Sequence, residues 1–289
     1  MDEFALEALE RQTQRHRTRF TAFGLSPVTP VIGAEITGLD LAQPLNEQTV
    51  DQLRQAWLEN HVLVFRNQEL NRERHKEIGR LFGELRALPV EDIDGDDPEI
   101  TLIRASKRSR YVAGAVWHTD GTAEEAPSMG SMLYMHETPE GGAGGDTLFA
   151  NMHLAYEMLS PAMRGLLDGL TAIHDGAVPW RGFEAPPGLP KAEHPAVVRH
   201  PETGRKCLFV NGGFTTHIPQ LSPAESDHLL AFLFALPEKI QALNCRIRWQ
   251  PGTLVLWDNR CTQHHAIWDY YPLNRAGERI TLLGQKPEA

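Results

Sequence analysis

A succession of short apolar segments, punctuated by glycine and proline, runs through the chain from about residue 100 onward. Segments of four or five residues suit β-strands, whereas a helix needs a longer periodic pattern to bury one face. Many short strands with loops between them are typical of an all-β sandwich or jelly roll. The clearest segments are 131–135, 147–150, 206–210, 253–257 and 280–283. The sequence therefore predicts a mainly β fold with helical embellishments, built on a double-stranded β-helix (jelly roll).

Helical patterns precede and interrupt these strands. Asn46 can cap a run in which Val50, Leu53 and Trp57 recur at helical spacing. The run leads directly into a short apolar strand at 62–65. Further helical patterns cover 72–82, 152–169 and 222–242. We therefore expect helices packed around the β core.

The chain length of 289 residues fits one jelly-roll domain with helical additions. Residues 23–289 are predicted to form this domain. Residues 1–22, where glutamates precede a run of arginines, are predicted to form a charged N-terminal extension, either an exposed helix or a tail. Residues 176–200 contain five prolines, and irregular stretches of that length are often lids. We therefore predict a lid loop at 176–200.

Composition limits the possible partners and compartment. A net charge of -10 argues against nucleic acid as a general partner, so an anionic substrate needs a local positive anchor. No apolar run approaches the ~20 residues of a membrane span, and Met1–Ala5 lacks the order of a signal peptide. The three cysteines are widely spaced and odd in number, which suits unpaired thiols in a reducing cytoplasm. We expect a cytoplasmic protein that binds neither membranes nor nucleic acid.

The most informative motif is Trp117–Asp120 (Trp-His-Thr-Asp), which is combined with a second motif far downstream, Thr262–His264 (Thr-Gln-His). Residues i and i+2 of an extended segment point to the same face, so His118 and Asp120 can converge on one point. A third ligand from a distant strand would complete a facial triad of two imidazoles and one carboxylate. Such a triad leaves adjacent coordination positions open, as in non-haem Fe(II) oxygenases. Alone, His-x-Asp is a weak signal.

Two arginines follow the second motif at a defined spacing. Arg275 lies eleven residues after His264 and Arg279 lies fifteen residues after it, just before an apolar run. Together with the two motifs, these positions resemble the TauD/TfdA family of Fe(II)/2-oxoglutarate-dependent dioxygenases. The resemblance extends over nearly the whole chain, through segments 28–36, 64–68, 82–85, 144–147, 208–211, 213–216, 257–260 and 283–287.

The resemblance implies that His118, Asp120 and His264 bind Fe(II), with 2-oxoglutarate and O₂ as cosubstrates on the remaining positions. His265 is a local competitor, but the family motif places the ligand directly after Thr-Gln, which favours His264. Cys261 is close to His264 in sequence, and a space-filling role is favoured over ligation. Related halogenases have Ala or Gly in place of the carboxylate, so the presence of Asp120 implies oxygen transfer to carbon.

The resemblance also implies how 2-oxoglutarate is held. Its tail carboxylate needs a cation with a bidentate geometry and a hydrogen-bond donor, and arginine supplies a planar fork of donors. By resemblance, Arg275 is the cation and Thr147 donates its hydroxyl group. Arg279 can point into the same barrel, where the matching arginine of the family anchors the acidic group of the primary substrate or lies beside 2-oxoglutarate.

The substrate pocket departs from that of the taurine enzymes of the family. Their polar positions fall here on Leu88, Glu91, Gly114 and the pair Pro179–Trp180, while Phe214 and Arg279 are retained. A pocket of this kind is expected to be larger and more apolar than one for taurine. It suits an amphiphilic anion, such as an aryloxyalkanoate, an alkyl sulfate or an alkyl sulfonate. The role of Glu91 is open: it could meet an amine or face solvent.

The leading hypothesis is therefore a dioxygenase that hydroxylates a small organic anion next to a heteroatom. The product would collapse with C–O or C–S cleavage, and 2-oxoglutarate would leave as succinate and CO₂. A biosynthetic 2-oxoglutarate-dependent hydroxylase or desaturase is the main alternative. A taurine dioxygenase, a Zn hydrolase with the same ligands and a non-catalytic binding module are less favoured. A homo-oligomer, either a dimer or a tetramer, is also expected.

Overall fold

The computed structural model describes residues 1–15, 17–88 and 97–289. Its β-strands are β1 (Gly24–Pro27), β2 (Ala34–Thr37), β3 (Val62–Phe65), β4 (Thr101–Ala105), β5 (Gly130–Glu137), β6 (Thr147–Asn151), β7 (Thr171–Asp175), β8 (Lys191–Pro195), β9 (Val197–Arg199), β10 (Lys206–Leu208), β11 (Thr215–His217), β12 (Asn244–Ile247), β13 (Thr253–Asp258), β14 (Thr262–Ala266) and β15 (Arg275–Leu282). The α-helices are α1 (Glu3–Thr13), α2 (Glu47–Asn60), α3 (Arg72–Arg80), α4 (Met152–Glu157), α5 (Pro161–Leu167), α6 (Pro223–Phe234) and α7 (Leu236–Lys239). The predicted mainly β architecture with helical additions is confirmed.

Seven strands form the larger sheet, in the order β1-β2-β3-β13-β5-β15-β4. All its neighbouring strands are antiparallel except β2 and β3, which are parallel. A smaller sheet of order β12-β6-β14 supplies the strand that carries the second motif, and β11-β7-β8 forms another. The two motifs and both arginines therefore depend on pairing between segments distant in sequence.

The central strands of the larger sheet are buried on both faces. Along β3, Val62 and Val64 belong to one hydrophobic cluster, whereas Leu63 and Phe65 belong to another. This alternation follows the period of two residues that a strand imposes. The first cluster also contains Phe149 of the smaller sheet, so it packs between the two sheets. Strands covered on both sides form a rigid support for the site.

Helix α2 begins and ends as its sequence indicates. Asn46 accepts a hydrogen bond from the Thr49 backbone N–H, as an N-cap residue does. The helix ends before His61, whose φ of 65° lies in the left-handed region. Val62 then starts β3. A left-handed residue is a common way to end a helix, although glycine is the usual choice there.

The N-terminal residues include a helix that contacts the rest of the fold. Helix α1 buries Ala5 and Ala8, and Arg15 forms an ion pair of 3.0 Å with Glu157. Part of residues 176–200 is also regular, since β8 and β9 lie within that range. The irregular part of this range is therefore shorter than the sequence indicated, and a lid at 176–200 stays a prediction.

Across the part of the chain that the structure describes, no helix is both long and apolar enough to cross a membrane.

Candidate metal centre

The two motifs lie side by side through a short antiparallel bridge. The His118 N–H donates to the His264 carbonyl at 3.1 Å, and the His264 N–H donates to the His118 carbonyl at 2.8 Å. His264 lies in β14, which also pairs with β6. The loop that carries the first motif is therefore held against the smaller sheet at the ligand position itself.

His118, Asp120 and His264 point to one place. The Asp120 Oδ1 atom lies 3.7 Å from His118 Nε2 and 3.8 Å from His264 Nε2. The two imidazole rings are 4.1 Å apart between centroids. One carboxylate oxygen thus faces two imidazole nitrogens, which are the ligand types that a facial triad for a divalent metal requires.

Hydrogen bonds fix the tautomer of His118. Its Nδ1 atom lies 2.7 Å from the Val116 carbonyl, which can only accept, so the proton is on Nδ1. The Nε2 lone pair is then free for a metal, and the carbonyl orients the ring. His264 is oriented by packing instead, with ring centroids 5.8 Å from Phe149 and 5.1 Å from Trp257.

The second oxygen of Asp120 is held by a chain of buried hydrogen bonds. Ser131 Oγ donates to Asp120 Oδ2 at 2.7 Å. Asn259 Nδ2 donates to Ser131 Oγ at 3.0 Å, and Trp257 Nε1 donates to Asn259 Oδ1 at 2.9 Å. This arrangement leaves Oδ1 as the oxygen that faces the imidazoles. Sequence analysis did not identify Ser131, because no local spacing pattern links it to Asp120, eleven residues earlier.

Electrostatics keep Asp120 and His264 in the protonation states that metal binding needs. Burial by itself raises the pKa of Asp120, but the nearby Arg279, His264 and His118 outweigh it and hold this pKa well below its usual range. Burial, together with His118, holds the pKa of His264 well below its usual range. A carboxylate and a neutral imidazole are the forms that bind a metal.

His265 points away from the triad. Its ring lies 5.6 Å from that of Trp117, whereas the group that could hold an ion contains His264. Adjacent residues of a strand face opposite sides of the sheet, which explains the division. The geometry therefore favours the histidine that directly follows Thr-Gln.

Arg275 is a buried cation without an anion. Its side chain is almost enclosed, the residue being 4% exposed, and its Nε atom has no hydrogen-bond partner. Among the described residues, no carboxylate lies within ion-pair distance of its guanidinium. Burial lowers the pKa of Arg275, although Tyr270 and Asp146 act against this. An unpaired charge in the interior is costly, so this position suits a carboxylate ligand.

Trp249 connects Arg275 to Thr147. The Arg275 guanidinium lies 5.6 Å from the centre of the Trp249 ring, and Trp249 Nε1 donates to Thr147 Oγ1 at 2.9 Å. Sequence analysis missed Trp249 and also Tyr270, whose buried hydroxyl group has no partner. Neither residue belongs to a local pattern, so no signal in the sequence singled them out.

The register of the smaller sheet places Thr147 near the triad. His264 pairs with Phe149, and Ala266 pairs with Thr147. Thr147 thus lies two residues along β6 from Phe149, the residue that pairs with His264. Two residues of a strand span about 7 Å. A small dicarboxylate could reach from the triad to Thr147 and Arg275.

Arg279 lies at the triad itself. Its Nη1 atom donates to Asp120 Oδ1 at 3.1 Å, while its buried Nε has no partner. The side chain is 25% exposed. Unlike Arg275, this guanidinium is therefore ion-paired in the structure, and the pairing was not foreseen from the sequence.

Two further residues of the predicted substrate pocket lie beside His118. The Phe214 ring centroid is 6.4 Å from that of His118. A Cβ atom added at Gly114 would approach His118 Cε1 to 3.0 Å, and Gly114 has a φ of +84°, which side chains rarely tolerate. A larger residue at Gly114 would therefore press on the metal centre.

The other predicted pocket residues are not placed at the triad. Leu88 is half-buried, and its N–H donates to the Pro98 carbonyl at 2.7 Å. Trp180 is also half-buried and ends a short 3-10 turn, Val178–Trp180. Glu91 lies outside the described residues. The roles of all three stay predictions.

Comparison with known proteins gives a family match over most of the chain. The family model described as "Taurine catabolism dioxygenase TauD, TfdA family" matches residues 24–284. An alkylsulfatase from Acinetobacter baylyi is 35% identical, over 90% of this chain and 85% of its own length. An alpha-ketoglutarate-dependent sulfate ester dioxygenase from Pseudomonas putida is 34% identical, over 90% of this chain and 89% of its own length.

A solved structure extends the match to the fold. The crystal structure of a taurine dioxygenase from Burkholderia xenovorans superposes with a TM-score of 0.81 at 35% identity, covering 92% of this chain and 91% of that chain. Similarity at this level confirms the predicted jelly roll. It also confirms the resemblance that the two motifs and the downstream arginines indicated.

Proposed function

The chain belongs to the TauD/TfdA family of Fe(II)/2-oxoglutarate-dependent dioxygenases, and we propose that it hydroxylates a small organic anion with an apolar body. The expected site of hydroxylation is the carbon next to the heteroatom of a sulfate, sulfonate or aryloxy group. When bound, Fe(II) with O₂ converts 2-oxoglutarate to succinate and CO₂ and inserts one oxygen atom into a C–H bond of the substrate. The residues that hold these groups are assigned from their geometry.

His118, Asp120 and His264 are proposed to bind the iron. The observations in favour are the single carboxylate oxygen that faces both Nε2 atoms and the carbonyl that fixes the tautomer of His118. Two neutral imidazoles and one carboxylate leave positions for cosubstrate and oxygen. The triad therefore fits an oxygenase centre.

Arg275 and Thr147 are proposed to hold the tail carboxylate of 2-oxoglutarate. The observation that carries the assignment is the unpaired, buried guanidinium of Arg275, which lies close to Thr147 through Trp249. A carboxylate would satisfy both the charge and the fork of donors. Because Thr147 Oγ1 already accepts from Trp249, its hydroxyl proton is free to donate to that carboxylate.

Arg279 is proposed to anchor the acidic group of the primary substrate. It is the cation that reaches the triad, its Nε has no partner, and part of the side chain is exposed. Its guanidinium would pair with the anion while the apolar part of the substrate lies near Phe214.

Two observations favour sulfate esters and related anions over taurine. Relatives that the chain matches over most of their length are an alkylsulfatase and a sulfate ester dioxygenase. In addition, the polar set of the taurine enzymes falls on Leu88, Glu91, Gly114 and the pair Pro179–Trp180 in this chain, which is expected to give a larger and more apolar pocket. An apolar pocket gains about 25 cal/mol per Å² of apolar surface removed from water, and taurine offers only two methylenes.

An alkyl sulfate would react in two steps. Hydroxylation of the carbon that bears the ester oxygen gives a hemiacetal-like sulfate. Its hydroxyl group loses a proton, a C=O bond forms, and the C–O bond to sulfate breaks. The products are an aldehyde and sulfate, together with succinate and CO₂. Water exclusion by the chain and the anchoring of the anion by Arg279 would keep the reacting carbon in place.

A coupled substrate screen tests the proposal. Purified enzyme with Fe(II), ascorbate and 2-oxoglutarate is incubated with alkyl sulfates, alkanesulfonates, aryloxyalkanoates and taurine, and succinate is measured with the released sulfate, sulfite or phenol. We expect the turnover of at least one amphiphilic anion to exceed that of taurine. Faster oxidation of taurine, or succinate formation that no acidic substrate increases, would contradict it.

Three buried, unpaired cysteines support the further proposal that the enzyme works in a reducing compartment such as the cytoplasm. The homo-oligomer stays a prediction.

A further inference from the structure

A second cluster of metal-ligating residues lies apart from the triad. His61, His153 and Cys261 each offer a nitrogen or sulfur atom, and these atoms lie within 4.8 Å of one another. His61 follows α2, His153 belongs to α4, and Cys261 directly precedes β14. All three are buried, with exposures of 1%, 0% and 1% respectively. The catalytic chemistry proposed above does not use this cluster.

We propose that His61, His153 and Cys261 form a second metal site, which binds a thiophilic divalent ion of the Zn²⁺ type. Imidazole and thiolate are the ligands that such ions prefer. An ion at this site would connect α2, α4 and the turn before β14. Its role would be structural, since enclosed sites of this kind contribute to folding stability.

The tautomer of His153 leaves a lone pair without a partner. Its Nδ1 lies 2.8 Å from the Lys206 carbonyl, which can only accept, so Nδ1 carries the proton. Its Nε2 is then an acceptor, and it is buried without a hydrogen bond among the described residues. A carbonyl that accepts from the other nitrogen of a histidine is the usual support for a metal ligand.

His61 and Cys261 are already close to the distance that a metal requires. The Cys261 Sγ lies 3.4 Å from His61 Nδ1. A tetrahedral Zn²⁺ with bonds of about 2.3 Å to sulfur and about 2.0–2.1 Å to nitrogen puts the two ligand atoms about 3.5 Å apart. The third ligand, His153, has its ring centroid 5.4 Å from that of His61. A water molecule would complete the four positions.

A neighbouring cluster is excluded because its groups are already paired. His200, Asp258 and Cys261 also lie close together. However, Asp258 accepts from His200 at 3.1 Å and from Arg260 at 2.7 and 2.8 Å. The second nitrogen of His200 accepts from two backbone N–H groups. By contrast, His153 Nε2 has no partner among the described residues, and His61 Nδ1 faces the Cys261 sulfur itself, which favours these two histidines as the partners of Cys261.

The charges around the cluster permit a cation. Arg205 is the positive group with the largest electrostatic influence on His61 and His153, and it forms an ion pair of 2.9 Å with Glu157. Burial raises the pKa of Cys261 well above its usual range, so without a metal this residue remains a thiol. A coordinating thiol is deprotonated, and metal binding should therefore release a proton.

Cobalt(II) is the probe that separates this site from the triad. The metal-free full-length protein is titrated with Co²⁺, and absorption is recorded in the near ultraviolet, where a cobalt–thiolate bond gives a charge-transfer band. The triad contains no sulfur, so it cannot give this band. We expect the wild-type protein to show the band, and the Asp120→Ala variant, with an impaired triad, to show it at one equivalent of Co²⁺.

Matched variants identify the ligands. His61→Gly keeps the left-handed backbone conformation of this position, which glycine adopts readily, and it should lose the band. Cys261→Ala should lose the band and also the release of about one proton on Zn²⁺ binding. Cys207→Ser, which changes another buried cysteine, should keep both. Absence of the band from the wild-type protein, or its persistence in both His61→Gly and Cys261→Ala, would overturn the proposal.

Discussion

Arg279 and Asp120 form an ion pair through the carboxylate oxygen that faces both imidazoles of the triad. The distance from Arg279 Nη1 to Asp120 Oδ1 is 3.1 Å. The Arg279 guanidinium thus contacts the oxygen atom proposed to bind the metal, while its Nε atom has no hydrogen-bond partner. The pair places the proposed substrate anchor at the metal centre, and a change at Arg279 should therefore alter substrate binding first.

Arg279→Ala should raise the KM of the primary substrate more than that of 2-oxoglutarate. The variant removes the cation that reaches the triad but leaves Arg275 in place. Steady-state kinetics with each substrate varied in turn provide the measurement. Arg248→Ala, which changes another arginine outside the site, is the control. Equal effects on both KM values would show that Arg279 does not anchor the primary substrate.

Arg275→Lys should weaken the apparent affinity for 2-oxoglutarate by about tenfold or more. Lysine keeps the charge but loses the planar fork, and a hydrogen bond to a charged group contributes about 1.5–3 kcal/mol. The KM for 2-oxoglutarate at saturating primary substrate measures the effect. An unchanged KM would mean that Arg275 does not hold the cosubstrate.

His264→Ala should abolish turnover, whereas His265→Ala should retain most of it. The first change removes the imidazole that faces Asp120, and the second removes a ring that packs on Trp117. Iron content and succinate formation should be measured together in both variants. The reverse pattern would show that His265, and not His264, binds the metal.

Ser131→Ala should lower the affinity for Fe(II) by about ten- to a hundredfold, the range found when groups that orient metal ligands are removed. The variant leaves Asp120 Oδ2 without its buried donor. Competition with a chelator measures the affinity. Ser128→Ala, another buried serine, should bind iron like the wild-type protein, and equal affinities in all three proteins would contradict the positioning role.

The metal-free protein should lose stability as the pH falls below about 6.5. Burial, with a smaller contribution from His136, lowers the pKa of His75 to about 3. The unfolded chain therefore binds a proton at His75 between about pH 6.5 and 3, and the folded chain does not, so the free energy of unfolding falls as the pH falls. Each such group contributes up to about 1.4 kcal/mol per pH unit.

His75→Phe should flatten this dependence. Denaturant unfolding at pH 7, 6, 5 and 4 measures it, with the exposed His228→Phe as the control. A slope that is the same in His75→Phe and the wild-type protein would show that His75 is not neutral when folded.

The sequence indicated the three residues of the triad because their spacing is local or fixed by a motif. His118 and Asp120 are two residues apart, and His264 follows Thr-Gln. Helix α2 could also be predicted from the sequence, since Asn46 caps it and its apolar residues recur with helical spacing. In each case the pattern lies within one segment and follows from backbone geometry.

Other parts of the site depend on contacts between distant segments. Ser131 of β5 donates to Asp120 in the loop before that strand, and Trp249 joins Arg275 of β15 to Thr147 of β6. No local pattern marks such residues, because only the folded sheet brings them together. The same reason explains why the Arg279–Asp120 pair was not predicted.

The two backbone hydrogen bonds between His118 and His264 bear on how the triad would take up a metal ion again after losing one. They align the two segments through backbone contacts alone, so the loss of chain entropy on assembling these residues accompanies folding. If the triad binds iron as proposed, iron lost after oxidation would leave ligands that are already aligned. A fresh ion would then bind without rearrangement of these two segments.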